Sequence, residues 1–101
     1  MEWNDLHKEI ENIFHKKSEK LGLRPDIEIQ FIEDTPVEGE FVFGEAFPDE
    51  NKIWLEVVAP DASTNEITEI VSHELIHLKF PELSHDSKEF EDKVRECMKE
   101  Q

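Results

Sequence analysis

The sequence predicts a small α+β domain in the order helix, three-stranded sheet, helix, helix. Two observations carry that prediction. Apolar residues recur at helical spacing near the N-terminus and again beyond Ser63, and between these stretches three short runs alternate apolar with polar residues. With 101 residues there is length for one core, so 1–101 reads as a single domain.

Asn4 or Asp5 can cap the first helix, whose face is drawn by Leu6, Ile10, Ile13, Phe14, Lys17 and Leu21. Gly22 stands where that helix should stop, and Pro25 follows. His7 and His15 have no second histidine four positions away and read as surface residues. The first strand is expected over Asp26–Glu33, with Ile27, Ile29 and Phe31 set against Glu28 and Gln30. After a loop at Thr35–Gly39, a second strand over Glu40–Phe47 places Phe41, Phe43 and Phe47 on one face, expected in the core, with Gly44 interrupting. Pro48–Asn51 makes a turn, and Lys52–Val58 sets Ile53, Leu55 and Val57 against Trp54, Glu56 and Val58. Trp54 is left to line a cleft or pack on a helix. The second and third runs should form a hairpin.

Pro60, Asp61 and Ala62 close the strands. Ser63 and Glu66, three apart, form a capping box for a helix that carries Ile67, Ile70, Val71, Leu75 and Leu78 and ends at Pro81. A last helix from about Asp86 to Lys99, within the C-terminal segment 86–101, aligns Phe90, Val94, Cys97 and Met98.

Asp and Glu outnumber Lys and Arg by 26 to 11, for a formal net charge of −15. Nucleic acids and anionic membrane surfaces are therefore poor partners, because binding them depends on Lys and Arg neutralising phosphate. A basic substrate or a cation suits the balance better. Cys97 is the single cysteine, which excludes a disulfide framework and a Cys-rich zinc motif. No apolar run approaches the roughly 20 residues of a membrane span, and the first residues do not form a signal peptide, so a cytoplasmic protein is expected. Many Glu and Lys beside few Gln and Asn lean toward a thermophilic source.

The chemistry concentrates in His73-Glu74-Leu75-Ile76-His77. Two histidines four apart project from one helix face, one turn apart, and can ligate one metal ion. Glu74 is rotated about 100° from His73, which puts its carboxylate beside the metal rather than on it. There it can take a proton from water that zinc has made acidic and pass it to a leaving amine. A catalytic zinc wants a third protein ligand and an open position. His85, eight residues beyond His77 and past the break at Pro81, is favoured; Glu82 and Glu89 are rivals. Asp86 could accept from a ligand imidazole or simply favour a helix N-terminus.

His73-Glu74-Leu75-Ile76-His77-Leu78-Lys79, followed by His85 and Phe90, resembles the minigluzincins. These are soluble zinc-peptidase domains of about this length from thermophilic prokaryotes, similar to the catalytic domains of integral-membrane metallopeptidases of the HtpX type. The resemblance implies a zincin-like fold and Zn2+ held by His73, His77 and His85, with Glu74 as general base and acid. It also implies a peptide or protein substrate lying along an edge strand, for which Lys52–Val58 is the candidate. Family members are latent, with C-terminal segments over the cleft; here Phe90–Gln101 could fold back on its own cleft or exchange with a second copy to form a homodimer. Cys97 could cap the zinc as a thiolate, although its place on the apolar stripe reads as core.

Phe80 and Leu83 stand where the metzincin pattern needs Gly and His, which excludes that group. The chain has no Tyr to stabilise an oxyanion, leaving zinc itself or a donor such as Lys79 or Arg95. Three other readings are weighed. A metal-dependent endoribonuclease with a comparable histidine helix would carry Gly at position 74 and a basic surface. DNA-linked zinc proteases would meet the charge of −15 unfavourably. A regulatory module stabilised by zinc has no use for a base beside the metal.

Overall fold

Leu6, Ile10 and Phe14 recur every four residues and all are buried, which fixes the inward face of α1, Trp3–Leu21. The computed structural model describes residues 3–32, 41–58 and 62–99. Asn4 and Asp5, expected as caps, instead lie inside the first turn of α1, where the Asp5 carboxylate still suits the positive end of the helix. The other end closes as the sequence requires. Gly22 adopts φ +71°, and the N–H groups of Leu23 and Gly22 donate to the carbonyls of Ser18 and Glu19 at 2.9 and 3.1 Å.

Strands β1 (Asp26–Phe31), β2 (Val42–Phe47) and β3 (Lys52–Val57) form one mixed sheet in the order β1-β3-β2. β2 and β3 pair antiparallel through a 3-10 turn at Pro48–Glu50 and a left-handed Asn51, the expected hairpin. β1 pairs parallel with β3. Two expectations are corrected here. Lys52–Val58, offered as the edge strand, forms the centre of the sheet; among the described residues the edges are β1 and β2. Of the expected Phe stripe, Phe41 packs against the main core, but Phe43 and Phe47 face the other way. Register aligns Val42, Gly44 and Ala46 with the buried Val57, Leu55 and Ile53, so the small even-numbered residues meet the helices. Phe43 and Phe47 stand half-buried on the sheet face that register shares with the half-buried Trp54. Expected strand residues Glu33 and Glu40, and the loop at Thr35–Gly39, lie outside the described residues.

The Ser63 hydroxyl accepts from the Glu66 N–H at 3.1 Å to open α2, Thr64–Lys79. The reciprocal half of the capping box is absent: the Glu66 carboxylate accepts instead from the Phe41 N–H at 2.9 Å, tying the start of α2 to the start of β2. Phe80 caps the end of α2, and Pro81 prevents another turn. α3 runs over Lys88–Met98, shorter than expected, because the Ser87 hydroxyl accepts from the Phe90 N–H and sets the start there.

The main core joins the inner sheet face to α1 and α2 through Leu6, Ile10, Phe14, Ile53, Leu55, Ile67, Val71 and Leu75. A second, smaller cluster of Ile76, Phe90 and Cys97 holds α3 against α2. Lys20 of α1 clamps the end of α3, its ammonium donating to the carbonyls of Glu96, Cys97 and Lys99 at 2.9, 3.3 and 2.9 Å. No described helix is long and apolar enough to cross a membrane.

Candidate metal centre

α2 is wedged between β2 and α3, so its exposed stripe becomes the floor of a cleft with one wall on each side. His73 and His77 stand on that stripe, half-buried, one turn apart. Two tight turns bring the chain back over them: the Leu83 N–H donates to Phe80 and the Ser87 N–H to Ser84, at 3.1 and 3.0 Å. His85 lies in the second turn, just ahead of α3, and is exposed.

The three rings converge. His77 Nε2 is 3.1 Å from His73 Nε2 and 3.2 Å from His85 Nδ1, and all three offered nitrogens lie within 4.8 Å of one another. Two nitrogens on a tetrahedral zinc, each about 2.0–2.1 Å from it, stand about 3.3 Å apart. The donor set therefore fits one small divalent ion. The favoured third ligand, His85, is in place, while Glu82 and Glu89 are not part of the group. Phe90 packs its ring against His77 and His73, with centroids 4.2 and 4.9 Å apart, and braces the imidazoles from the α3 side. Cys97 is 1% exposed within the smaller core cluster and is a packing residue rather than a ligand.

Electrostatics favour ligation. Burial, and then the neighbouring rings of His77 and His85, push the His73 pKa down to about 4. Burial and His85 lower that of His77. Both rings are thus neutral near pH 7, with lone pairs free for a metal.

Glu74 lies on the β2 side of α2 and is 5% exposed. Burial, and secondarily the Glu45 carboxylate, raise its pKa to about 7. β2 approaches so closely that a Cβ on Gly44 would lie 2.9 Å from Glu74 Cγ and 3.2 Å from its Oε2. Sequence reasoning noted Gly44 only as an interruption; this close approach is the physical cause of the missing side chain. Glu45 carried no signal of its own.

The proposed oxyanion donors separate. Lys79 donates to the Leu21 carbonyl at 2.6 Å, directed toward the end of α1, whereas Arg95 lines the cleft and pairs with Asp92 at 3.1 Å and Glu91 at 3.8 Å. Asp86 borders the same cleft. The helix expected to mask the cleft forms one of its walls: Phe90, Val94 and Met98 face a recess of ≈ 970 Å³ that reaches across to Val42, Phe43 and Gly44 of β2. Compared with protein-family models, curated proteins and solved structures, the chain matches none.

Proposed function

We propose that this chain is a zinc metallopeptidase of the minigluzincin kind. The observation that carries the reading is the convergence of His73, His77 and His85 beside a buried carboxylate, Glu74, in a cleft walled by a sheet edge. The three histidines would hold the ion; when bound, zinc supplies a Lewis acid that acidifies water and polarises a carbonyl. The chain's own residues do the rest. A peptide lies along β2, the edge strand next to α2. Val58 donates its N–H to the Phe41 carbonyl at 2.9 Å, so by the alternation of an antiparallel pair Val42, Gly44 and Ala46 turn their backbone groups to the open edge. Those groups can pair with an extended substrate.

Glu74 then takes the proton from the attacking water and delivers it to the leaving amine. A carboxyl whose pKa lies near 7 can both accept and return that proton near neutrality. A carboxylate with this burial has no role in a site that only stabilises the fold, which favours catalysis over a structural zinc module.

Metal analysis and peptide cleavage test the proposal together. Wild type should bind one equivalent of zinc and cleave an unstructured peptide. Glu74→Gln should keep the zinc and lose activity by about 10² or more. His85→Ala should lose most of the bound zinc. Equal zinc in wild type and Glu74→Gln, with neither cleaving any peptide, would leave the structural module standing.

A further inference from the structure

The metal centre lies between two unequal recesses. The smaller, ≈ 380 Å³, is bordered by Glu45, Ala46, Pro48 and Pro81. The larger, bordered by α2, α3 and β2, has both apolar and charged lining residues. Its apolar lining comes from Ile70 of α2 with Val94 and Met98 of α3. Its charged lining comes from Glu66 and Glu69 of α2, Asp86, and Glu91 of α3.

These carboxylates are not balanced within the recess. Arg95 is the one cation among the lining residues, and it is already engaged by Asp92 and Glu91. Glu66 has the Phe41 N–H as partner, which leaves its charge in place. Glu74, 5% exposed, opens onto the same recess. A recess lined by both apolar side chains and carboxylates suits one kind of side chain: an aliphatic stem tipped by a cation.

We propose that the recess between α2 and α3 binds a Lys or Arg side chain of the substrate, and that the site acts on basic peptides. The stem lies over Ile70, Val94 and Met98, and the cationic head meets Glu69 and Glu91. This rests on the peptidase reading, but it concerns binding, which can be measured without turnover. An acidic side chain in the same place would meet the carboxyl groups of Glu66, Glu69, Glu74, Asp86 and Glu91 and one occupied guanidinium, so acidic peptides are rejected.

The test uses three fluorescein-labelled peptides that differ at one central position, Lys, Leu or Glu, in a Gly-Ser background. Binding to the zinc-loaded Glu74→Gln protein is read by anisotropy, and cleavage is read with wild type. The Lys peptide should bind about tenfold tighter than the Leu peptide and tighter still than the Glu peptide. That preference should shrink in high salt, as charge recognition near the surface does. It should also largely disappear in the double variant Glu69→Gln, Glu91→Gln, whose exposed positions leave fold and zinc content intact. Equal or tighter binding of the Leu peptide, or an undiminished Lys preference in the double variant, overturns the proposal even if peptides are cleaved. Lys-selective binding without cleavage of any peptide supports the recess and removes the peptidase reading.

Discussion

Glu74 is costly to keep where it is. Its folded pKa is about 7 against an ordinary 4.5, so between those values the folded chain holds a proton that the unfolded chain has released. Stability therefore falls as pH rises from about 4.5, and the full penalty is present above about 7. Because the carboxyl borders the cleft, we discount the penalty to on the order of 2 kcal/mol. His73 acts with the opposite sign. Its folded pKa of about 4 lies below 6.5, so stability is lost as pH falls from 6.5 toward 4. In the metal-free protein, Glu74→Gln should raise the melting temperature at pH 8 by on the order of 10 °C and leave it nearly unchanged at pH 4. Equal melting temperatures at pH 8 would mean that the carboxylate is well solvated. A bound divalent ion attracts the carboxylate's charge and should narrow the difference, so the comparison belongs in chelator.

The elements repeat this tension between packing and chemistry, and β2 shows it best. Read from its alternation alone, the strand puts its phenylalanines in the core, because large apolar side chains dominate burial. The fold reverses that choice for Phe43 and Phe47, while Phe41 packs against the core. α2 runs so near the strand that even a methyl at Gly44 would come within 2.9–3.2 Å of Glu74 and Leu55, which leaves no room for a large side chain there. Local periodicity cannot register a neighbour that arrives from elsewhere in the chain. For the same reason it could not tell that β3 is central, since a parallel partner is a long-range choice. The signals written locally were legible: the Ser63 cap, the stop at Pro81, the Gly22 termination and the two histidines one turn apart. Gly44→Ala tests the close approach. The added methyl should displace the Glu74 side chain, destabilise the fold by about 1–3 kcal/mol and reduce cleavage at least tenfold, with zinc content unchanged. Unaltered cleavage would show that β2 yields and that Glu74 is not held by it.

At the scale of the whole molecule, the two hydrophobic clusters divide the labour. The larger one, built on α1, α2 and the inner face of the sheet, contains none of the three histidines, so its packing involves no metal ligand. The smaller one contains Phe90, whose ring packs on the triad, and it is what fastens α3 to α2. His85 sits in the turn between them, held mainly by short-range hydrogen bonds among Ser84, Ser87 and Phe90. Metal binding should therefore act on one part of the molecule. An ion drawn to all three imidazoles cross-links the turn at 81–87 to α2 and, through Phe90, steadies α3, whose far end is already clamped by Lys20. The free energy of binding appears as stability of that segment first, because ligation favours the state in which the three nitrogens are together. Hydrogen exchange with and without a zinc-chelating agent measures this directly. Amides over 80–98 should exchange about ten to a hundred times faster once zinc is removed, while those of β1, β3 and the middle of α1 change little. Uniform acceleration across the sheet would mean that the metal holds the entire fold, and a change confined to His73 and His77 would mean that His85 is not a ligand.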